Sequence, residues 1–329
     1  MTLADRLRAI AGADAVRVDA PLAPLTTFRV GGPAEYLVES SGEAQTVAIV
    51  RLAHETGTPL HVLGGGSNVL IGDRGIRGIV LLARDRAVEP VGADADGDGV
   101  RAGAGVTING LVRWTIGRGL SGLEAWAGTP GTVGGAIHGN AHFQGRLIGD
   151  LVRSARLVSR DGDVRDVQAA EMAFGYDTSR LHGSGEVLLS AIFDVGLGDP
   201  DRLRDVARAS LAFRKRTQPL DVPSAGCIFQ NPDPSRDRVP DGIPPSAGAL
   251  VDRAGLKGAS IGDARVSSTH GNFIVHEGAA SAAEIRALID RCRQAVWERH
   301  GVRLREEIVY LGDFGAPDTL ETGDREQGD

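Results

Sequence analysis

The stretch PSAGCIFQNP, Pro223 to Pro232, carries Cys227, one of two cysteines in 329 residues. A thiol after Gly226 and before Ile228-Phe229 has four available roles. It could be a small packed hydrophobe, a nucleophile, a flavin attachment point or a proton donor. The stretch alone does not choose between them. Cys292 lies among Leu288, Ile289, Val296 and Trp297 in a helical pattern and is expected to be core. Two cysteines make no disulfide framework, which fits a reducing compartment.

Glycine supplies the second kind of chemistry. The chain has 46 glycines, about twice the roughly 7% average. In VLGGGSNVLIGD, Val62 to Asp73, a strand delivers Gly64, Gly65, Gly66, Ser67 and Asn68. Consecutive backbone N–H groups in such a turn can cradle an anion, and pyrophosphate is the natural guest. Neither a P-loop nor G-x-G-x-x-G is present, and an ordinary glycine turn is the plain alternative. In GTPGTVGGAIHGNAH, Pro130 fixes φ beside Gly131, and Gly134, Gly135 and Ala136 leave room for a planar ligand. Gly128, Thr129 and Ala141 belong to the same candidate surface, and Asn140 could bind a heteroatom edge. A tight packed turn is the alternative here. Two such loops together point to a large phosphate-containing cofactor. No His/Cys/Asp spacing suggests a metal site. GADADGDG imitates a calcium loop but lacks the EF-hand spacing and terminal Glu, so a hairpin turn is expected.

The positioning elements read as mixed α and β. MTLADRLRAIAG predicts a short amphipathic helix within an N-terminal segment 1–20. Residues 25–40 predict two strands around Gly31-Gly32, and the next segment predicts a helix with Ser41 as N-cap and Gly57 as its stop. Strands follow on both sides of the first glycine loop, then a helix from about Ile108 to Gly117. LVRSARLVSRDGDVRDVQ predicts a hairpin turning at Arg160-Asp161-Gly162. Helices are predicted over PDRLRDVARASLAFRKRTQ, SAGALVDRAGL and about Ala282 to His300, with strands at NFIVH and near 303–311. A domain boundary is expected near 195–200. The tail from Gly315, with five acids and one Arg, is expected to be disordered. A formal charge of −7 does not suggest nucleic-acid binding, and no apolar run reaches the roughly 20 residues needed to span a bilayer. A cytoplasmic monomer is expected.

The two glycine loops resemble the flavin-binding domain of vanillyl-alcohol-oxidase-type flavoproteins. Further blocks make a closer resemblance. TTFRVGG, FGYDTSRL, QPLDVPSAGCIFQNP, SAGALVDRAGLKG, ARVSSTHGNFIVH and GVRLREEIVYLG stand in the order seen in the UDP-N-acetylenolpyruvoylglucosamine reductase family. The resemblance covers about residues 22–312. It implies an α+β fold: an FAD-binding domain over 21–197, with subdomains of about 21–83 and 84–197, and a substrate domain over 198–314. It also implies reduction of the enolpyruvyl ether of UDP-N-acetylglucosamine, with NADPH as hydride source and non-covalent FAD as carrier. Charge builds on C2 and its carboxylate, and a proton then arrives at C2.

The resemblance assigns roles residue by residue. Cys227 stands where the family has a serine proton donor, and a thiol with an ordinary pKa near 8.5 is the better acid. Glu307 takes the position of a C-terminal glutamate, with Glu306 as the fallback. The family's Y-R-x-S pattern is broken, because this chain reads Tyr176-Asp177-Thr178-Ser179-Arg180. Arg180 is the candidate replacement cation, with Arg214 or Lys215 as alternatives. FRKRTQP is expected near the UDP phosphates. Asn231, Tyr176 and Ser179 are expected to line the substrate region, and His270 and Asn272 either to contact the substrate or, as the favoured reading, to shape a turn. Two other readings stay open. One is a flavoprotein oxidase acting on an alcohol or sugar, with His138, His142 or Cys227 as covalent attachment points. The other is a nucleotide-binding module without enzymatic activity.

Overall fold

The computed structural model describes residues 1–92 and 98–315. Its first layer is a four-stranded sheet in the order 16–21, 33–40, 76–83, 60–62. Ile76–Ala83 is nearly continuous in apolar residues because both of its faces are covered. Alternate side chains feed two cores. Ile79 and Leu81 pack with Leu7, Ile49 and Leu52 of the helices Leu3–Ala11 and Glu43–Thr56, whereas Val80 and Leu82 pack with Leu22, Leu37, Leu63 and Ile71. The N-terminal helix ends before Gly12, and the remainder of segment 1–20 is mostly the edge strand Val16–Pro21. The helix after the second strand starts from Gly42 rather than Ser41, whose hydroxyl donates to Gln45 instead.

The second layer is an antiparallel sheet in the order 164–168, 152–158, 187–194, 99–103, 88–91. The strands on either side of GADADGDG pair antiparallel, with Val91 opposite Gly99. The turn itself, at 93–97, lies outside the described residues. Helix Ile108–Ile116 is capped by Thr107, whose hydroxyl accepts from the Gly110 N–H at 3.1 Å. The core holds Trp126, Phe193, Leu111 and Met172. It also holds Leu203 of the helix Pro200–Thr217. This helix therefore packs with the second layer through Leu203 and Ala207.

The third layer packs helices Ala247–Arg253 and Ala282–His300 against three short strands, with Cys292 buried among them. Two connections tie it to the first. Residues 25–30, expected as a strand, instead form a loop that buries Phe28 and Val30 in the third core. The Phe28 carbonyl accepts from His276 Nε2. Asp73, at the end of the first glycine stretch, caps the long helix by accepting from the N–H groups of Ala282 and Ala283 at 2.8 and 2.9 Å. Finally, Val309–Leu311 leaves the third layer and pairs parallel with Val69–Ile71. No helix among the described residues is long and apolar enough to cross a membrane.

Candidate active site

A cleft of about 1150 Å³ runs between the three layers. Both glycine loops line it, and they touch each other. A Cβ on Gly65 would stand 2.5 Å from Gly131 Cα, and one on Gly131, at φ +99°, would meet Ser67 Oγ at 2.8 Å. Only backbone without side chains fits this approach. Among the described residues, the backbone N–H groups of residues 64–68 find no hydrogen-bond acceptor in the chain. A row of such donors at the wall of a cleft is an anion nest. The second loop is braced from behind. The Gly134 N–H donates to Ala104 O at 2.9 Å, and Thr132 caps the short helix Val133–His138. Thr129, Pro130, Gly134, Gly135 and Ala141 line the cleft with Gly64, Gly66, Ser67 and Asn68.

Gly128 and Asn140 do not line it. Gly128 abuts Leu211 and Arg214 and donates its N–H to Asn109. Asn140 is fully buried, accepts from the Gly149 N–H and donates to Gly175 O at 2.7 Å. It holds the 175–178 turn rather than a ligand.

Cys227 and Glu307 meet in the cleft through backbone pairing. The Glu307 N–H donates to Ile228 O at 2.8 Å, and the Gln230 N–H to Arg305 O at 2.8 Å. Asn272 clamps the other side of the same loop. Its Oδ1 accepts from the Phe229 N–H at 2.9 Å and its Nδ2 donates to Phe229 O at 2.7 Å. Asn68 of the glycine loop donates from Nδ2 to Glu307 O at 3.0 Å, joining the nest to the glutamate strand. Glu306 turns away and pairs with Arg293 at 2.9 Å. Strand alternation separates the two glutamates. Burial pushes the Cys227 thiol up, and the charges of Glu307 and Asp177 push it the same way. Burial, then Asp177, pushes the Glu307 carboxyl up to about 8, while His142 opposes the shift.

Asp177 also faces the cleft. His142 Nδ1 lies 2.9 Å from Asp177 Oδ1, and polar atoms of His142, Asp177 and Glu307 lie within 4.8 Å of one another. Divalent cations use such donors, but here Nδ1 and Oδ1 are engaged with each other. Arg180 is elsewhere. Its Nε donates to Glu186 Oε2 at 2.6 Å, a carboxylate it shares with Arg165, and Arg180 does not line the cleft. Lys215 is exposed and does not line the cleft. Arg214, its neighbour on the helix, is only 6% exposed and does. Its guanidinium stacks 3.9 Å over Phe143 and donates to Thr129 Oγ1 at 2.8 Å, and its Nε has no partner among the described residues. Desolvation lowers its pKa to about 10, with Cys227 opposing, and leaves it a cation at neutral pH. Ser179 spends its hydroxyl on His138 O at 2.8 Å. Tyr176 lies outside the lining, its ring against His142 at 4.9 Å. Asn231 lines the cleft and accepts from the Ala247 N–H with Oδ1.

Comparison with known proteins decides the family. A model of the UDP-N-acetylenolpyruvoylglucosamine reductase C-terminal domain matches residues 218–311, and a model of an FAD binding domain matches 34–168. The reductase of Heliobacterium modesticaldum is 37% identical over 299 residues, 90% of this chain and 90% of its own. That of Synechococcus sp. (strain CC9605) is 40% identical over 293 residues, 88% of this chain and 94% of its own. The chain belongs to the UDP-N-acetylenolpyruvoylglucosamine reductase family. Among solved structures, the UDP-N-acetylenolpyruvylglucosamine reductase of Thermus caldophilus is similar over 90% of this chain and 99% of its own, with a TM-score of 0.73 and 32% identity.

The match to an FAD binding domain, residues 34–168, falls on the first two layers. The sequence singled out His142 only as a possible flavin attachment point and Asn272 as a contact or turn residue; the pairing of His142 with Asp177 and the clamp of Asn272 on Phe229 span 35 and 43 positions.

Proposed function

We propose that the chain reduces the enolpyruvyl ether of a UDP-N-acetylglucosamine derivative to the lactyl ether, using FAD and NADPH. The observation that carries this reading is the backbone pairing that sets Cys227 and Glu307 side by side in the cleft that the unpaired N–H groups of residues 64–68 also face. The loops fit FAD. Residues 64–68 offer donors to its pyrophosphate, and Gly131, Gly134 and Gly135 leave backbone to receive it. When bound, FAD supplies the two-electron chemistry.

The chain's own residues do the rest. Cys227 holds the proton destined for C2, kept on sulfur by burial and by the Asp177 charge. Glu307, neutral below about pH 8, is a hydrogen-bond donor beside it. Arg214 receives a substrate anion, because its buried charge has no carboxylate partner and its Nε is unused. The test is anaerobic. The flavin is reduced with NADPH, the enolpyruvyl sugar nucleotide is added, and reoxidation is followed. No reoxidation, or flavin retained on the protein after acid precipitation, defeats this reading.

Two arginine variants separate the cations. Arg180→Ala is expected to leave turnover unchanged, since its guanidinium is held on Glu186 and does not line the cleft. Arg214→Met is expected to lower kcat/KM by roughly 10–150-fold, the equivalent of about 1.5–3 kcal/mol for hydrogen bonds to a charged group. Steady-state kinetics on both variants checks this. A reversed order of effects removes Arg214 from its role.

Glu307 also has a stability signature. Its folded pKa lies above the ordinary value near 4.3. Between about 4.3 and about 8 the folded protein therefore keeps a proton that the unfolded chain has lost, and stability falls as pH rises through this window. Glu307→Gln removes the fall. Its melting temperature should gain on that of the parent as pH rises to about 8, by at least about 3 °C. A difference that stays flat with pH counts against the buried, raised carboxyl.

A further inference from the structure

We infer that His142, held by Asp177, is the cation that this chain sets against the developing enolate carboxylate, in place of the arginine that the reductase pattern puts after tyrosine. The inference rests on the reductase reading above and names a residue that the reading does not use.

The residue at the arginine position is Asp177, and an aspartate repels the charge that must be stabilised. Yet Asp177 is not idle. Its side chain is 8% exposed and reaches His142 at 2.9 Å. The backbone is built for this contact. Asp177 sits at φ +55°, a conformation that Asp tolerates better than most residues. Its turn is closed by pairing between Gly175 and Thr178 and is held by Asn140, two residues before His142. One buried asparagine therefore fixes both members of the pair.

The pair leaves the imidazole where a cation is useful. His142 lines the cleft, and its ring lies within 4.8 Å of the Glu307 carboxyl. Nδ1 is taken by Asp177, and Nε2 takes no part in that bond. The Tyr176 ring lies against the imidazole, an arrangement that favours the charged form. The other charged groups in its field are Asp177, Glu307 and Arg214. The hydrogen bond to Asp177 leads in raising its pKa, Asp177 and Glu307 charges add to this, and burial and Arg214 oppose. Arg214 does not displace it from the role, because that guanidinium is bonded to Thr129 of the second glycine loop. Arg180 is held on Glu186 and does not line the cleft. Among the described residues, His142 is the imidazole in contact with the Asp177–Glu307 end of the cleft.

The anaerobic half-reactions test this on the FAD-loaded protein. His142→Gln is expected to slow reoxidation of reduced flavin by the enolpyruvyl sugar nucleotide on the order of a hundredfold, as when one preorganised donor to an oxyanion is lost. The loss should be confined to that half-reaction, and His142→Lys, which keeps a positive charge, should recover much of it. Asp177→Asn removes the group that holds the proton on the ring, so the alkaline fall-off of reoxidation should move to lower pH. Asp177 also bears on Cys227 and Glu307, so the shift is compared with that of Asp177→Asn in the His142→Gln background, where the part owed to the imidazole should be gone. Reoxidation of His142→Gln at the parent rate overturns the inference, as does a profile unmoved by Asp177→Asn. If the parent itself is not reoxidised by the enolpyruvyl nucleotide, the proposed function fails first and the inference falls with it.

Discussion

Cys227→Ala should still accept electrons from NADPH but pass them to the enolpyruvyl substrate about 10²–10⁴-fold more slowly, the usual contribution of a positioned general acid. The reasoning starts from the loop. Residues 228–230 are bonded on one side to the 305–307 strand and on the other to Asn272. None of these bonds uses the thiol, so alanine removes the proton source and leaves the frame standing. The thiol is well suited to the task at rest. Burial leads in disfavouring thiolate, and the Asp177 charge adds repulsion, so the group stays protonated across the neutral range. Cys227→Ser keeps a hydroxyl on the same frame and should retain substantial activity. Rapid-mixing absorbance of the flavin measures both half-reactions in one instrument. If the alanine variant reoxidises at the parent rate, Cys227 is a packed side chain and the proton comes from elsewhere.

A single methyl on the first glycine loop is expected to expel the cofactor. In Gly65→Ala the new Cβ would lie 2.5 Å from Gly131 Cα and 3.1 Å from its carbonyl carbon. Both obstacles are backbone of the second loop, which cannot rotate aside as a side chain can. That loop is anchored by Thr129, Val133 and Gly134 N–H groups donating to Trp126, Val106 and Ala104 carbonyls. The cost of forced overpacking is about 1–3 kcal/mol, which weakens FAD binding by roughly 5–150-fold if the strain is relieved only when the loops part. The protein should purify with little yellow colour. Flavin titration gives the Kd, and melting of the apoprotein separates loss of binding from loss of fold. Retention of FAD at the parent affinity in Gly65→Ala would show that the loops do not form the cradle.

Much of this site is written locally. GGGSN and GTPGTVGG are legible because glycine's backbone freedom is a property of the residue itself. The helices at 200–217 and 282–300 and the hairpin at 152–168 are legible because period and turn residues act over a few positions. Cys227 and Glu307 could be singled out by their motifs. That they are neighbours depends on a strand that returns from the third layer to pair with Val69–Ile71, far away in sequence.

Charge is where the sequence stops. Arg180, Arg214 and Lys215 are equivalent as letters. Glu186 takes the first, burial against Phe143 and Thr129 makes the second a cleft cation, and one step along the helix leaves the third in solvent. Asn140 looks like a ligand contact in a glycine loop, yet its amide is consumed by Gly149 and Gly175. Asp177 looks like the loss of a cation until His142, 35 residues earlier, is found 2.9 Å away. By itself the sequence determined the chemical parts: two glycine loops, a thiol at Cys227, and an aspartate at Asp177. Only the tertiary structure decided which charges face one another, because Coulomb and desolvation terms depend on distance and burial, and both are set by how the three layers close on the cleft.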